Sequence, residues 1–338
     1  MRKLTFLLTL IVLSSSASAQ ILELAEMNTR QIAALDRQKT VVLIPGGLME
    51  QHGPYLPANA DGYLSDWLTR RLAERLVERP GWTVVIFPTI NIGSGSANVI
   101  GNRYTFPGSF DVRNSTLRDV FMDLASSLGE QGFRWIFPIH LHGYPGHNAA
   151  LDQAGDYFHD IYGGRMIHLM GLMPIFDCCG AQQEKLLSEA QRKEEGFSVH
   201  SGAGEHSMVL FLRPDLVAAD LRQAVSQTAT DFPGLMRLAT SEEWPGYFGA
   251  PRHASAALGA AHMQQMADVT AQIANRILDG LDPRELPRYA DIMAQVPPIA
   301  AVVRGTEQHE DRIARQQREW LAKRDTKEKP ADPGTGGD

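Results

Sequence analysis

Val41-Val42-Leu43-Ile44-Pro45-Gly46-Gly47-Leu48-Met49-Glu50-Gln51-His52-Gly53-Pro54 is the stretch whose reading decides the fold. Its first four residues form a short apolar run that reads as a buried strand, and Pro45-Gly46-Gly47 is expected to end it. Glu50 and His52 then fall in a loop at the strand's carboxyl end, with Asp61 nine residues after the histidine. Open α/β sheets place their ligands at that end of the strands. Three side-chain types that bind metals are therefore gathered where such a fold would use them.

Working outward, strand-like apolar runs recur at residues 84–87, 135–139 and 166–170. Amphipathic stretches lie between them at residues 63–77 and 117–128, and residues 256–278 read as a further helix. This alternation predicts an α/β fold with a mainly parallel sheet and helices on both faces. Residues 182–195 (QQEKLLSEAQRKEE) are charged and read as a solvated helix or excursion. After Pro297-Pro298 a charged helical stretch is expected through Trp320, and residues 323–338 have the composition of a disordered tail. The domain reading is a leader at residues 1–19, one large domain at 20–300, and a charged helix with a tail at 301–338.

The leader is expected because Arg2-Lys3 precede an apolar run ending at Leu13, followed by small residues with Ala17-x-Ala19 at the end. That pattern predicts a cleaved secretory signal and a periplasmic or secreted protein. A membrane anchor would need about twenty apolar residues. The formal charge is −7, and removing Arg2 and Lys3 makes it −9, which disfavours nucleic-acid or anionic-membrane partners. Cys178 and Cys179 are the two cysteines of the chain. Adjacent residues rarely reach disulfide geometry, so they read as a partly buried thiol pair.

Two more segments carry metal-binding side chains. Ile139-His140-Leu141-His142-Gly143-Tyr144-Pro145-Gly146-His147-Asn148 follows a predicted strand and precedes a helix expected to begin near Ala149. His140 and His142 would face the same way on an extended chain, and His147 could approach the same cleft from the helix start. One of the three is expected to be a ligand, with His142 preferred. His200-Ser201-Gly202-Ala203-Gly204-Glu205-His206-Ser207 opens an apolar helical run. Glu205 there either compensates the helix amino terminus or binds metal. Six of the chain's eleven histidines fall in these three segments, a clustering that favours a site.

Glu50-x-His52-Gly53-Pro54-x-Leu56-Pro57 with Asp61, then His142-Gly143 with Asn148, then His200-x-Gly202-x-x-Glu205-x-Ser207 resemble, in order, the pattern of the creatininase (creatinine amidohydrolase) family. Gly93-Ser94-Gly95-Ser96 and Phe106-Pro107-Gly108-Ser109 resemble that family's small-residue turn and its FPGT stretch. The resemblance covers roughly residues 35–280 and implies a three-layer α/β/α sandwich assembled into homo-oligomers, often hexamers. It implies two divalent metal ions, zinc, manganese or iron. Glu50 and His142 would serve one, His52 and Glu205 the other, and Asp61 would bridge them. It also implies hydrolysis of a small amide by a metal-activated water, with His200 as general acid or oxyanion donor, or as a partner that orients Glu205.

This chain departs from the family pattern in ways that bear on substrate. The spacing between His142-Gly143 and Asn148 is longer than usual, Tyr144 stands where creatininase has a glutamate ligand, and no tryptophan occurs between Tyr144 and His200. His206 replaces a common threonine. These departures imply an amide substrate other than creatinine. The alternatives are a lactonase or phosphoesterase, the latter needing an arginine near the site, with Arg103 the nearest to a motif, or a non-catalytic metal-binding protein.

Overall fold

Alternation along the central strands sets the layers of this computed structural model, which describes residues 20–178 and 180–328. The leader, Cys179 and residues 329–338 lie outside the described residues. Five strands, β1 (Gln20–Glu23), β2 (Thr40–Gly46), β3 (Thr83–Ile86), β4 (Trp135–His140) and β5 (Arg165–Met166), form one parallel sheet in the order β1-β3-β2-β4-β5. On β2, Val41 and Leu43 point to one face while Val42 and Ile44 point to the other. All four are essentially inaccessible to solvent, and burial of each such side chain stabilises by about 1.5–3 kcal/mol.

The first face is covered by α1 (Ala60–Leu76), α4 (Ala203–Leu212) and α5 (Ala256–Leu278), and the second by α2 (Asn114–Glu130) and α3 (Pro145–Tyr162). The sheet with helices on both sides is the predicted three-layer α/β/α arrangement. A long helix, α6 (Pro297–Glu328), ends the described chain. Among the described residues, no helix is long and apolar enough to cross a membrane.

β2 and β4 are neighbours, with Gly46 opposite His140 at their carboxyl ends. The connection leaving β2 crosses the first face through α1, whereas the one leaving β4 crosses the second through α3. Loops that diverge in this way open a crevice between the two strand ends. That crevice holds the site.

Several boundaries differ from the sequence reading. β2 runs on through Pro45 to Gly46, because Pro45 still pairs with Ile139 and its carbonyl accepts the Ile90 N–H at 2.9 Å. α3 begins at Pro145 instead of near Ala149, since proline's fixed φ suits the first helical turn. The run expected as a strand at residues 166–170 is a strand only at Arg165–Met166 and then turns. Residues 182–195 form two short helices, and residues 323–328, expected within the tail, continue α6.

Candidate metal centre

Glu50, Asp61, His142, His200 and Glu205 line one cleft of about 570 Å³, and the fully buried His52 ring lies against two of them. Backbone groups hold most of them, beginning with Glu50. The Ala97 N–H donates to Glu50 Oε2 at 2.9 Å, from the turn that follows Gly93-Ser94-Gly95-Ser96. Gly95 has φ of 76°, and a Cβ there would lie 2.0 Å from the Tyr144 ring, so only glycine lets this turn approach. Ser109 and Phe110 brace the other side of the Glu50 loop, through Ser109 Oγ to the Gln51 N–H at 3.3 Å and the Phe110 N–H to the Met49 carbonyl at 2.9 Å.

Asp61 enters from the first turn of α1, where Gly47 permits close approach: a Cβ on Gly47 would stand 2.6 Å from the Asp61 Cβ. Glu205 enters from the first turn of α4 and accepts the Ser201 N–H at 2.6 Å. Ser201 is left-handed at φ of 53°, a strained state for a residue with a Cβ. Its hydroxyl donates to the His52 carbonyl at 2.8 Å, which joins the first and third sequence segments.

The three histidines share one design. His52 Nδ1 lies 3.0 Å from the Glu50 carbonyl, His142 Nε2 lies 3.1 Å from the Ser94 carbonyl, and His200 Nε2 lies 2.7 Å from the Gln51 carbonyl. A carbonyl only accepts, so these nitrogens carry the proton. The opposite nitrogens, lone pairs outward in the neutral rings, face carboxylates. His52 Nε2 is 3.3 Å from both Asp61 Oδ1 and Glu205 Oε1. His142 Nδ1 is 2.9 Å from Glu50 Oε1 and 3.3 Å from Asp61 Oδ2. His200 Nδ1 is 3.9 Å from Glu50 and 4.0 Å from Glu205.

Lone pairs directed at carboxylate oxygens repel unless positive charge lies between them, either protons or metal cations. At His52 and His142 the carboxylates favour protons in that place. Burial lowers the His52 pKa, but the Glu205 carboxylate and Asp61 more than offset it and raise it well above the ordinary value. His142 is raised in the same way against burial, first by Glu50 and then by Asp61. Burial alone would raise Glu205, yet His52 brings it down to about 2. Asp61 is likewise held below the usual carboxylate range, burial being outweighed by His142 and His52. Among the described residues, three sets of donor atoms suit a cation: Glu50, Asp61 and His142; His52, Asp61 and Glu205; and Glu50, His52 and His200. All six predicted residues thus meet in one place.

His140 and His147 do not join them. The His142 N–H bonds the His140 carbonyl at 3.0 Å, so the chain turns tightly and the two rings diverge instead of facing the same way. His140 packs edge-on against Phe121 of α2, and His147 sits inside α3, where its Nδ1 accepts the Ser94 N–H at 3.3 Å. His206 is buried and bonded to the Gly202 carbonyl, and burial lowers its pKa to about 4. Asn148 stays useful despite the longer spacing, because its Nδ2 donates to the carbonyls of His142 and Tyr144 at 3.0 and 2.9 Å. His200 stands too far from Glu205 to orient it; the Ser201 N–H does so.

Sequence reasoning missed Glu195. It lies in a charged run yet is buried, accepting the N–H groups of Ala203 at 2.9 Å and Ala250 at 2.6 Å. Nothing in a solvated-looking run marks such a residue. Arg103 stacks over Phe106 and bonds the Ser241 carbonyl, and it does not line the cleft. Cys178 packs partly buried near α5, where its carbonyl accepts from Gln265 Nε2 at 2.6 Å; its expected thiol neighbour lies outside the described residues.

Comparison with known proteins agrees with this geometry. The family model described as creatinine amidohydrolase matches residues 25–274. The chain is 26% identical to a mycofactocin precursor peptide peptidase of Mycobacterium ulcerans over 264 residues, covering 76% of this chain and 93% of that one. It is 26% identical to a creatinine amidohydrolase of Pseudomonas putida over 198 residues, 57% of this chain and 71% of that one. A manganese form of creatininase superposes with a TM-score of 0.58 at 20% identity, covering 76% of this chain and 98% of that one. A zinc–zinc creatininase variant gives 0.56 at 22%, with coverages of 76% and 97%. With most of its length matched to the family and its donor groups gathered at the strand ends, the chain belongs to the creatininase family of metal-dependent amidohydrolases acting on C–N bonds.

Proposed function

We propose that this protein is an exported amidohydrolase that cleaves a non-peptide or cyclic C–N amide bond in a small substrate other than creatinine, with water as nucleophile. The observation that carries this reading is the set of three imidazole lone pairs directed at the carboxylates of Glu50, Asp61 and Glu205 inside an accessible cleft. Glu50 and His142 would hold one divalent cation, and His52 and Glu205 the other. Asp61 suits the place between them, because its Oδ1 faces His52 while its Oδ2 faces His142. The oxygen and nitrogen donors fit zinc, manganese or iron. When bound, such ions supply Lewis acidity toward an amide carbonyl and lower the pKa of a water toward neutrality.

The remaining steps fall to the chain. His200 keeps its Nε2 proton on the Gln51 carbonyl, so its Nδ1 can accept the proton released as the water oxygen joins the carbonyl carbon. The same Nδ1 then protonates the departing nitrogen as the C–N bond breaks, leaving a carboxylic acid and an amine, which settle as carboxylate and ammonium. Ser201 and Ala97 hold Glu205 and Glu50 in place while charge shifts at the centre.

No arginine or lysine lines the cleft among the described residues, which argues against a phosphoesterase. The open space beside the donor atoms argues against a closed structural site. Export to a periplasm or medium is supported by Arg2-Lys3, the apolar run and Ala17-x-Ala19; homo-oligomeric assembly is the family's habit and is checked by light scattering. The test of the whole reading is metal analysis of the purified protein with a screen over cyclic amides, formamides, lactones and short peptides. Peptides belong in it because one relative is named for a precursor peptide. Two bound metals with C–N hydrolysis are expected; bound metals with no amide cleaved would sink the proposal.

A further inference from the structure

The cleft reaches well past the donor atoms, and part of its wall comes from outside the family match. Tyr289, Met293, Ile299, Val302 and Val303 all line it, and all follow residue 274, where the match ends. Met173, Phe176, Met208 and Met266 add apolar surface from within the matched region. Methionine side chains adapt to irregular apolar shapes. Phe176, Phe197 and Val199 also line the cleft while remaining 39%, 41% and 46% exposed, an apolar rim left in water.

This added wall is tied to the loops that carry the donor residues. Val302 is 3% exposed and packs with Val99 and Tyr144, the first in the turn that begins at Ala97 and the second two residues after His142. Tyr289 Oη donates to the Gly143 carbonyl at 2.8 Å, and its ring stacks on Phe176 at 3.9 Å. Further along α6, Glu310 accepts the Asn114 N–H at 3.0 Å and His309 stacks on Tyr104 at 4.3 Å. Residues 289–303 are thus built into the cleft next to the metal centre.

A space of about 570 Å³ lies within the range that takes drug-sized ligands, far more than an amide group fills. Cations are absent from its lining among the described residues, and of its carboxylates only Asp177 and Glu195 stand outside the donor cluster, Glu195 being bonded to backbone N–H groups. We propose that the C-terminal extension forms a binding site for a hydrocarbon arm, so that the substrate is an amide carrying an aliphatic or aromatic group of several carbons. The amide rests on the hydrolase reading above; the arm rests on the extension alone.

The test uses the full-length metal-loaded protein and methyl ketones from butanone to decanone, which carry a carbonyl but no scissile bond. A fully buried methylene tightens binding about fourfold. Calorimetry on the wild type is expected to show affinity rising at least about tenfold along the series. Ile299→Asp and Val303→Asp, both at half-buried positions, are expected to flatten that rise while metal content and circular dichroism stay unchanged. Met293→Asp, outside α6, gives the same test should either helix variant fail to fold. A flat series in the wild type, or an undiminished rise in the folded variants, overturns the proposal. Chain-length-dependent binding without cleavage of any amide would leave the arm standing and remove the hydrolase reading; cleavage of small amides with a flat ketone series would do the reverse.

Discussion

Two groups of three buried histidines lie side by side in this molecule, His142 of one touching His147 of the other at 5.0 Å between ring centres. In the first, His52, His142 and His200 each give one proton to a backbone carbonyl and turn the other nitrogen toward a carboxylate. In the second, His140, His147 and His168 pack against one another at 5.3 to 6.3 Å, and among the described residues no ion pair joins them to an acid. Burial there lowers all three, His168 to about 4, so their rings stay neutral. Burial pushes His52 and His142 down just as it does these three. What separates the two groups is the company of carboxylates, which raise His52 and His142 and favour positive charge beside them.

The comparison breaks most visibly at Asp61. Asp61→Asn removes the shared carboxylate, and we expect loss of bound metal with a fall of about 10³-fold or more in hydrolysis at unchanged circular dichroism. A variant with near wild-type turnover would remove the bridging role. His200→Ala should slow kcat by roughly 10² to 10⁴-fold while metal content is kept. If metal is lost in proportion, His200 is a ligand in the set it shares with Glu50 and His52. The raised pKa values of His52 and His142 predict that metal binding expels protons and weakens as pH falls. Calorimetry in buffers of different ionisation enthalpy would report those protons; no buffer dependence would contradict the charge argument.

The second group should respond in stability alone. His168→Gln keeps a donor for the His140 carbonyl, and we expect unchanged metal content with a loss of about 1–3 kcal/mol in unfolding experiments. Loss of metal there would mean that the two groups act as one. Nearby Asp152 gives an effect of the opposite sign, confined to higher pH. Burial raises its pKa to about 7 against a partial offset from Arg288, so its stabilising protonated form is lost as pH rises through 7. Asp152→Asn should therefore raise stability at pH near 8, by roughly 2–4 kcal/mol at most, and change little below pH 4. An equal melting temperature at both pH values would show the carboxyl to be better solvated than its burial suggests.

Local sequence made the first motif legible, since an apolar run followed by Pro-Gly-Gly states where a strand ends and what stands beyond it. The β2 boundary shifted by two residues without moving Glu50 or His52 out of their loop. The second motif was harder. Ile136, Pro138 and His140 alternate onto the α2 and α3 face of β4, so His140 belonged to the core by strand periodicity, whereas His142 lies past a tight turn that periodicity does not describe. Glu195 was hidden for the opposite reason: a charged run says nothing about which member the rest of the chain will cover.

The sequence by itself determined the alternation of strands and helices, the family, and the three segments that carry the candidate donor side chains, because each depends on neighbours within a few residues. Tertiary structure alone decided which histidines meet acids, which ring nitrogen faces them, and how residues beyond 274 come to wall the same cleft. Those outcomes depend on contacts between residues as distant in the chain as Gln51 and His200, or Gly143 and Tyr289. Such contacts form only when the layers close, because a carbonyl, an imidazole and a carboxylate from three separate loops acquire a fixed distance only once the core beneath them is packed.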